Sequence, residues 1–290
     1  MWRKTRIFMD MIKIEHTLFA LPFAFMGALL GSVVKFQQLP SWGQIGWILL
    51  AMVGARSAAM GLNRVIDKVF DARNPRTAMR AIPAGLISSK EAIIFIILSF
   101  VLLFIAAAQL NPICMKLLPV AVFFLVFYSY TKRFTWACHL FLGMAIALAP
   151  LGGWVAVTGE ITLTAIVFYI AIMFWLAGFD VIYACQDTEF DRKEGLHSIP
   201  SRFGIPKALV LARLFHVITA VGLLSLFFLT ELTWVYLLGV VVSFGLLFYE
   251  HFIVKPNDLT RVNTAFFTMN SALSMVMFAF TFIDLVVHTA

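Results

Sequence analysis

Nine stretches of the chain are apolar for roughly the 20 residues that a helix needs to cross a bilayer. They fall near 16–34, 45–62, 92–110, 113–130, 137–157, 161–180, 207–229, 233–253 and 263–287. Inside lipid a backbone has no water to bond to, so runs of this kind become helices. Asn111-Pro112 is a turn signal that divides one long apolar stretch into the third and fourth runs. Hydrophobic residues make up 62% of the chain, against roughly 45–50% in soluble domains. The sequence is read as an all-α integral membrane protein, a single polytopic domain over 1–290 with nine transmembrane helices. A basic start followed by an apolar run is also the form of a cleaved signal peptide, but this run is too long and too many spans follow it. Cys114, Cys138 and Cys185 form no CxxC and read as small apolar fillers. The six histidines are scattered without an i,i+4 pair, which argues against a zinc site.

The basic residues set the topology. With the N-terminus in the cytoplasm, 18 of the 22 Lys and Arg fall on the cytoplasmic side, only Lys35 and Lys116 fall outside, and Arg56 and Arg213 fall within spans. The expectation is a multi-pass protein of the cell inner membrane with the lipid bilayer as its surroundings. Nothing in the charge pattern calls for a nucleic-acid partner.

Two acidic clusters follow spans on that same side. Asn63, Asp67 and Asp71 are spaced by four. If the second span's helix continues, they share one face, about 5–6 Å between neighbours. Two carboxylates at that spacing repel, and the helix C-terminus disfavours them further. A divalent cation reverses the sign of that interaction. Asp187 and Asp191 repeat the spacing after the sixth span. One such cluster alone is as well explained by a solvated loop; two on the same side suit a magnesium–diphosphate ligand. The loops at 63–91 and 181–206 also share Phe70 and Phe190 and the Ile82-Pro83 and Ile199-Pro200 steps. They suggest a weak internal repeat, spans 1–4 and 5–8, with the ninth extra.

Deeper in the second span, Arg56 precedes Asn63 by seven residues, and in the sixth Asp180 precedes Asp187 by seven, with Tyr183 beside it. A charge at that depth is costly unless it is paired, snorkels or faces water. Arg56 is either a snorkelling arginine or part of a polar cavity that Asp180 faces from the other side. Most nearby basic residues satisfy the positive-inside rule. A site that holds Mg²⁺ with carboxylates and substrate phosphates also needs them. Lys132 and Arg133, after Tyr128-Ser129-Tyr130, are the best candidates for phosphate contact, with Arg76 and Arg80 next.

Asn63-x3-Asp67-x3-Asp71 resembles the first aspartate-rich motif of the UbiA superfamily of intramembrane prenyltransferases. The stretch from Asp180 through Asp191 to Ser198-Ile-Pro and Arg202-Phe-Gly204 resembles its second motif, in the form of the 4-hydroxybenzoate polyprenyltransferase branch. Tyr-Ser-Tyr-Thr-Lys132-Arg133 is similar to that branch's basic loop. The resemblance covers most of the chain. It implies a bundle around a central cavity, with a cytoplasmic cap from loops 2-3 and 6-7. It also implies Mg²⁺ as cofactor and a polyprenyl diphosphate donor. Asn63, Asp67, Asp71, Asp187 and Asp191 would be the metal-holding and catalytic residues, and Arg56, Asp180 and Tyr183 would face the acceptor. Two departures bear on the acceptor. Arg64 stands where the family often has Asp, and Met11-Ile-Lys13-Ile-Glu15-His16-Thr17 is not the usual opening of the first helix. Asn74-Pro75-Arg76-Thr77 is similar to members that serve menaquinone formation through futalosine. Both 4-hydroxybenzoate and a naphthoate precursor therefore stay open as acceptor. A transporter with an Arg56/Asp180 relay is the rival from another class; the clustering of charge at one end of the bundle speaks against it.

Overall fold

The computed structural model describes residues 2–12 and 17–289. Lys13, Glu15 and His16, singled out above, lie outside the described residues. The elements are α1 (Trp2–Ile12), α2 (Thr17–Phe36), α3 (Trp42–Ile66), α4 (Lys68–Arg73), α5 (Ser89–Ala108), α6 (Pro112–Thr131), α7 (Cys138–Thr158), α8 (Leu163–Ala184), α9 (Thr188–Lys193), α10 (Ile199–Phe203), α11 (Ile205–Leu229), α12 (Trp234–Ile253) and α13 (Asn270–Thr289). A π-helical turn at Thr264–Met269 leads into α13. Among the described residues nine helical stretches are long and apolar enough to cross a membrane, as the sequence predicts.

Local chemistry fixes the helix ends. Ser41 and Ser88 cap α3 and α5 with reciprocal bonds to Gln44 and Glu91. Asn111 accepts from the Ile113 N–H and Pro112 opens α6, so the split read from Asn-Pro is real. Helix α7 ends at Gly159, whose φ of 73° is the left-handed conformation glycine adopts without strain.

Helices α2, α7 and α8 form the centre. Their contacts rest on small residues, as in lipid, where close backbone approach replaces the hydrophobic drive. A Cβ on Gly27 would lie 2.1 Å from the Pro150 carbonyl oxygen, and one on Gly153 would lie 2.1 Å from that of Ala24. Helices α2 and α7 therefore touch backbone to backbone. Phe23, Phe168 and Trp175 fill the core beside this crossing. Ile94, Leu98, Val241 and Phe248 point outward, where the solvent is lipid.

The sixth span outruns its sequence prediction. Helix α8 continues past residue 180 to Ala184, turns through Cys185–Asp187 and resumes as α9. The segments after α3 and after α8 meet over one end of the bundle, where Arg73 contacts Glu194 at 3.0 Å.

Candidate active site

The first motif is almost the continuous helix that its spacing predicts. Asp67 N donates to Asn63 O at 2.9 Å and Asp71 N to Asp67 O at 2.8 Å. The helix breaks only at Asp67 itself, whose φ of −92° and ψ of 5° end α3 and begin α4. Asn63 Nδ2 donates to Asp67 Oδ2 at 2.8 Å. Asp71 is held by Arg80 at 2.7 Å and faces Arg64 at 3.7 Å.

In the second motif, Asp187 accepts from Arg76 Nε and Nη2 at 3.0 and 2.6 Å, a two-pronged contact. Asn74 Nδ2 adds a third bond at 3.1 Å. Thus the loop of the first motif reaches across to the carboxylate of the second. Lys132 and Arg133 divide between the motifs: Lys132 contacts Asp191 at 2.8 Å and Arg133 contacts Asp67 at 3.6 Å.

Most of these residues line one polar cavity of about 960 Å³. It brings together Asn63, Asp67, Asp71, Asp187, Arg76, Arg80, Lys132 and Arg133, with Arg56, Asp180 and Tyr183. Asp191 is not in its lining. It is fully buried, accepts a hydrogen bond from the Ser198 hydroxyl at 2.8 Å and is ion-paired with Lys132. Arg56 and Asp180 do share the cavity, and the hydrogen-bond partner of Asp180 is His139, at 2.6 Å. A second cavity, apolar and about 310 Å³, adjoins the first. Arg56, Met60, Tyr128, Leu142 and Ile146 border both.

The electrostatics suit an anion and a metal that arrive together. Burial, and then the neighbouring Asp71, hold the Asp67 carboxyl above its ordinary range. Burial disfavours the Lys132 charge, but Asp191 outweighs it and holds the ammonium above its ordinary range. Among the described residues no three His, Cys, Asp or Glu side chains converge into a cage. Mg²⁺ uses one or two carboxylates and completes its shell with water and substrate phosphates. Separate carboxylates, each on a cation, fit that use. A diphosphate would take the cations and leave the carboxylate oxygens to the metal.

Sequence reasoning missed several residues here. Arg64, which the sequence marks only as a departure within the first motif, is buried against Asp71. Asn74 and Ser198 hold the two aspartates of the second motif. Phe266 and Phe267 line the cavity, Phe266 with its ring centroid 4.1 Å from that of Tyr183. The π-helical turn aims them. Asn270 Nδ2 donates to the Ala265 and Phe266 carbonyls within that turn, and to Glu250. In the structure Ser198 is the N-cap of α10 and Asn74 ends α4; nothing in the sequence marks the π-turn.

The defining pattern of the UbiA prenyltransferase family matches residues 21–272. The chain belongs to the UbiA prenyltransferase family. It is 30% identical over 240 residues to the 4-hydroxybenzoate octaprenyltransferase of Vibrio atlanticus, covering 82% of this chain and 84% of that one. To the enzyme of the same description from Vibrio campbellii it is 29% identical over 238 residues, with the same coverage. Among solved structures, an apo UbiA homolog from Aeropyrum pernix K1 superposes with a TM-score of 0.84 at 29% identity, covering 93% of this chain and 98% of that one. A UbiA homolog from Archaeoglobus fulgidus bound to GPP and Mg²⁺ superposes with a TM-score of 0.78 at 21% identity, over 97% and 99%. This UbiA-family prenyltransferase thus shares the helical arrangement of those solved homologs.

Proposed function

We propose that the protein transfers a polyprenyl group from polyprenyl diphosphate to the ring of 4-hydroxybenzoate, releasing pyrophosphate, as a step of respiratory quinone formation at the cytoplasmic face of the inner membrane. The observation that carries this is the meeting of both acidic motifs with Arg76, Arg80, Lys132 and Arg133 on one cavity that adjoins an apolar one. The descriptions of the Vibrio enzymes support the choice of acceptor.

Magnesium, when bound, would neutralise the leaving diphosphate, the electrostatic contribution that usually dominates such chemistry. Asn63, Asp67, Asp71 and Asp187 are the side chains that would hold it, and Asp191 acts through Lys132. Arg76, Arg80, Lys132 and Arg133 would turn from carboxylates to phosphate oxygens. Tyr183, Phe266 and Phe267 present aromatic faces to the positive charge that develops on the allylic carbon. The isoprenoid tail would run past Met60 and Ile146 into the apolar cavity. Arg56 and Asp180 lie deeper, where the acceptor would enter.

The test is an assay on membranes that carry the chain, with a polyprenyl diphosphate, Mg²⁺ and 4-hydroxybenzoate, read by mass spectrometry. Prenylated product that disappears in Asp67→Ala is the expected result. A naphthoate precursor of menaquinone is the second reading, favoured by Asn74-Pro75-Arg76-Thr77, two of whose side chains hold Asp187. Product with that acceptor alone selects it. No pyrophosphate release with either acceptor would overturn both and revive a transport role.

A further inference from the structure

His139 on α7 and Asp180 on α8 are bonded at 2.6 Å, Nδ1 to Oδ2. The imidazole side chain is 3% exposed and the carboxylate 23%, into the polar cavity. The second ring nitrogen is also engaged: the Ile199 backbone N–H donates to Nε2 at 3.3 Å. Ile199 is the first residue of α10, so its N–H is one of those a helix leaves without an internal partner. A ring nitrogen that accepts carries no hydrogen. The hydrogen of the neutral imidazole is therefore on Nδ1 and points at Asp180. One carboxylate oxygen, Oδ2, is pinned. The other, Oδ1, has no protein partner among the described residues and is not buried.

The position is apt. Asp180 precedes Asp187 by seven residues, about 10 Å along a helix, a distance that leaves room for an aromatic ring between it and the diphosphate site. Leu142, Leu176 and Phe179 surround this part of the cavity. The other acidic side chains deep in the cavity are committed. Asp71 and Asp187 are held by guanidinium groups, Asp67 by Asn63 and Arg133, and the Tyr183 hydroxyl accepts from Arg76. Asp10 on α1 also lines the cavity, as an exposed residue.

We propose that Asp180 is the base that takes the proton lost by the acceptor ring, and that His139 is its positioning residue; this rests on the ring prenylation proposed above. A ring carbon bonds to C1 of the prenyl group as the C–O bond to diphosphate breaks. The electron pair of the ring C–H bond returns to the ring, and its proton goes to Asp180 Oδ1. Oδ2 stays on the imidazole throughout, and Asp180 gives its proton to solvent when product leaves.

His139→Leu removes the donor, whereas His139→Asn keeps an N–H near the place of Nδ1. With 4-hydroxybenzoate as probe, kcat falls ~100-fold in His139→Leu, in the range for loss of a general base. It recovers to within about tenfold of wild type in His139→Asn, while KM for the prenyl diphosphate is unchanged in both. Ring-deuterated 4-hydroxybenzoate shows no isotope effect in the wild type and a primary one in His139→Leu, because proton removal has become slow. The same isotope effect in wild type and variants, or a matching loss of donor binding, overturns the assignment. If wild-type protein prenylates no aromatic acceptor, the function proposed above fails by itself. The pair is then decided by ¹⁵N NMR of labelled imidazole, where hydrogen on Nδ1 of His139 upholds the positioning and hydrogen on Nε2 overturns it.

Discussion

The two acidic motifs are spelled alike and built differently. In the first, Asp67 and Asp71 both line the cavity, and their cations come from three directions: Arg64 in α3, Arg80 in the following loop and Arg133 after α6. In the second, only Asp187 faces the cavity. Asp191 is 0% exposed and points into the protein, where Ser198 and Lys132 hold it. The difference originates in the helices that follow. Helix α4 is followed by a loop that folds back, with Arg80 on Asp71 and Arg76 on Asp187, whereas α9 is closed over by α10, whose N-cap is Ser198 itself. The same four-residue spacing thus yields two cavity carboxylates in one case, and one cavity carboxylate plus one anchor in the other.

If this asymmetry is right, Asp67→Ala and Asp187→Ala have the largest effect. Turnover should fall about 10³-fold or more, the scale of losing an electrostatic group aimed at the leaving charge, with the folded protein still in the membrane. EDTA should have the same effect on the wild type, and added Mg²⁺ should reverse it. Pyrophosphate release measures both. Near-normal turnover in either variant would falsify the two-motif site.

Asp191 should break along another line. Removing one partner of a buried ion pair costs roughly 3–5 kcal/mol, so Asp191→Asn should lower thermal stability as well as activity. Asp187→Asn should cost less stability than Asp191→Asn, because Asp187 opens on the cavity, where its partner Arg76 can turn to water, whereas Asp191 has no such outlet. The double change Lys132→Met with Asp191→Leu should restore the melting temperature and not the turnover, since a buried pair can be replaced by apolar groups while the phosphate loses its lysine. A fully stable, inactive Asp191→Asn would instead place Asp191 on the metal.

Much of this was legible in the sequence. The spans were, because hydropathy in lipid is a strong constraint, and so were both motifs, because their spacing is local. What was not legible depends on partners far apart in the chain. Lys132 and Arg133 are neighbours in sequence, yet they serve opposite motifs because they end α6 between the two. Asp180 and Arg56 were expected to face one cavity and do, but the partner of Asp180 came from α7, where His139 read as one of six scattered histidines. The burial of Asp191 needed α10, a helix of five residues too short to announce itself.

A smaller effect separates the motifs by pH. Asp67 is held above the ordinary carboxylate range by burial and then by Asp71. A proton therefore competes with the metal at Asp67 at a higher pH than at an ordinary aspartate. The Mg²⁺ concentration for half-maximal rate should rise as pH falls toward that raised pKa and level off above it, because metal binding requires the deprotonated form. Asp67→Asn, assayed on its residual activity, should flatten the dependence. Unchanged pH dependence in that variant would put the competing proton elsewhere.

The smallest effect belongs to the strap that joins the two loops. Arg73 and Glu194 meet at 3.0 Å, but the Arg73 side chain is 60% exposed. Exposed pairs contribute about 0–1 kcal/mol, because solvent screens them and the long side chains lose freedom. Arg73→Ala should therefore shift stability by no more than about 0.5 kcal/mol and leave kcat within twofold or so of wild type. The cross-loop contact that matters is the one beneath it, Arg76 with Asp187, where two bonds of 2.6 and 3.0 Å close on a carboxylate only 10% exposed. Should Arg73→Ala prove as damaging as Arg76→Ala, the loops would be held together from outside, and the cavity contacts would follow from that closure rather than cause it.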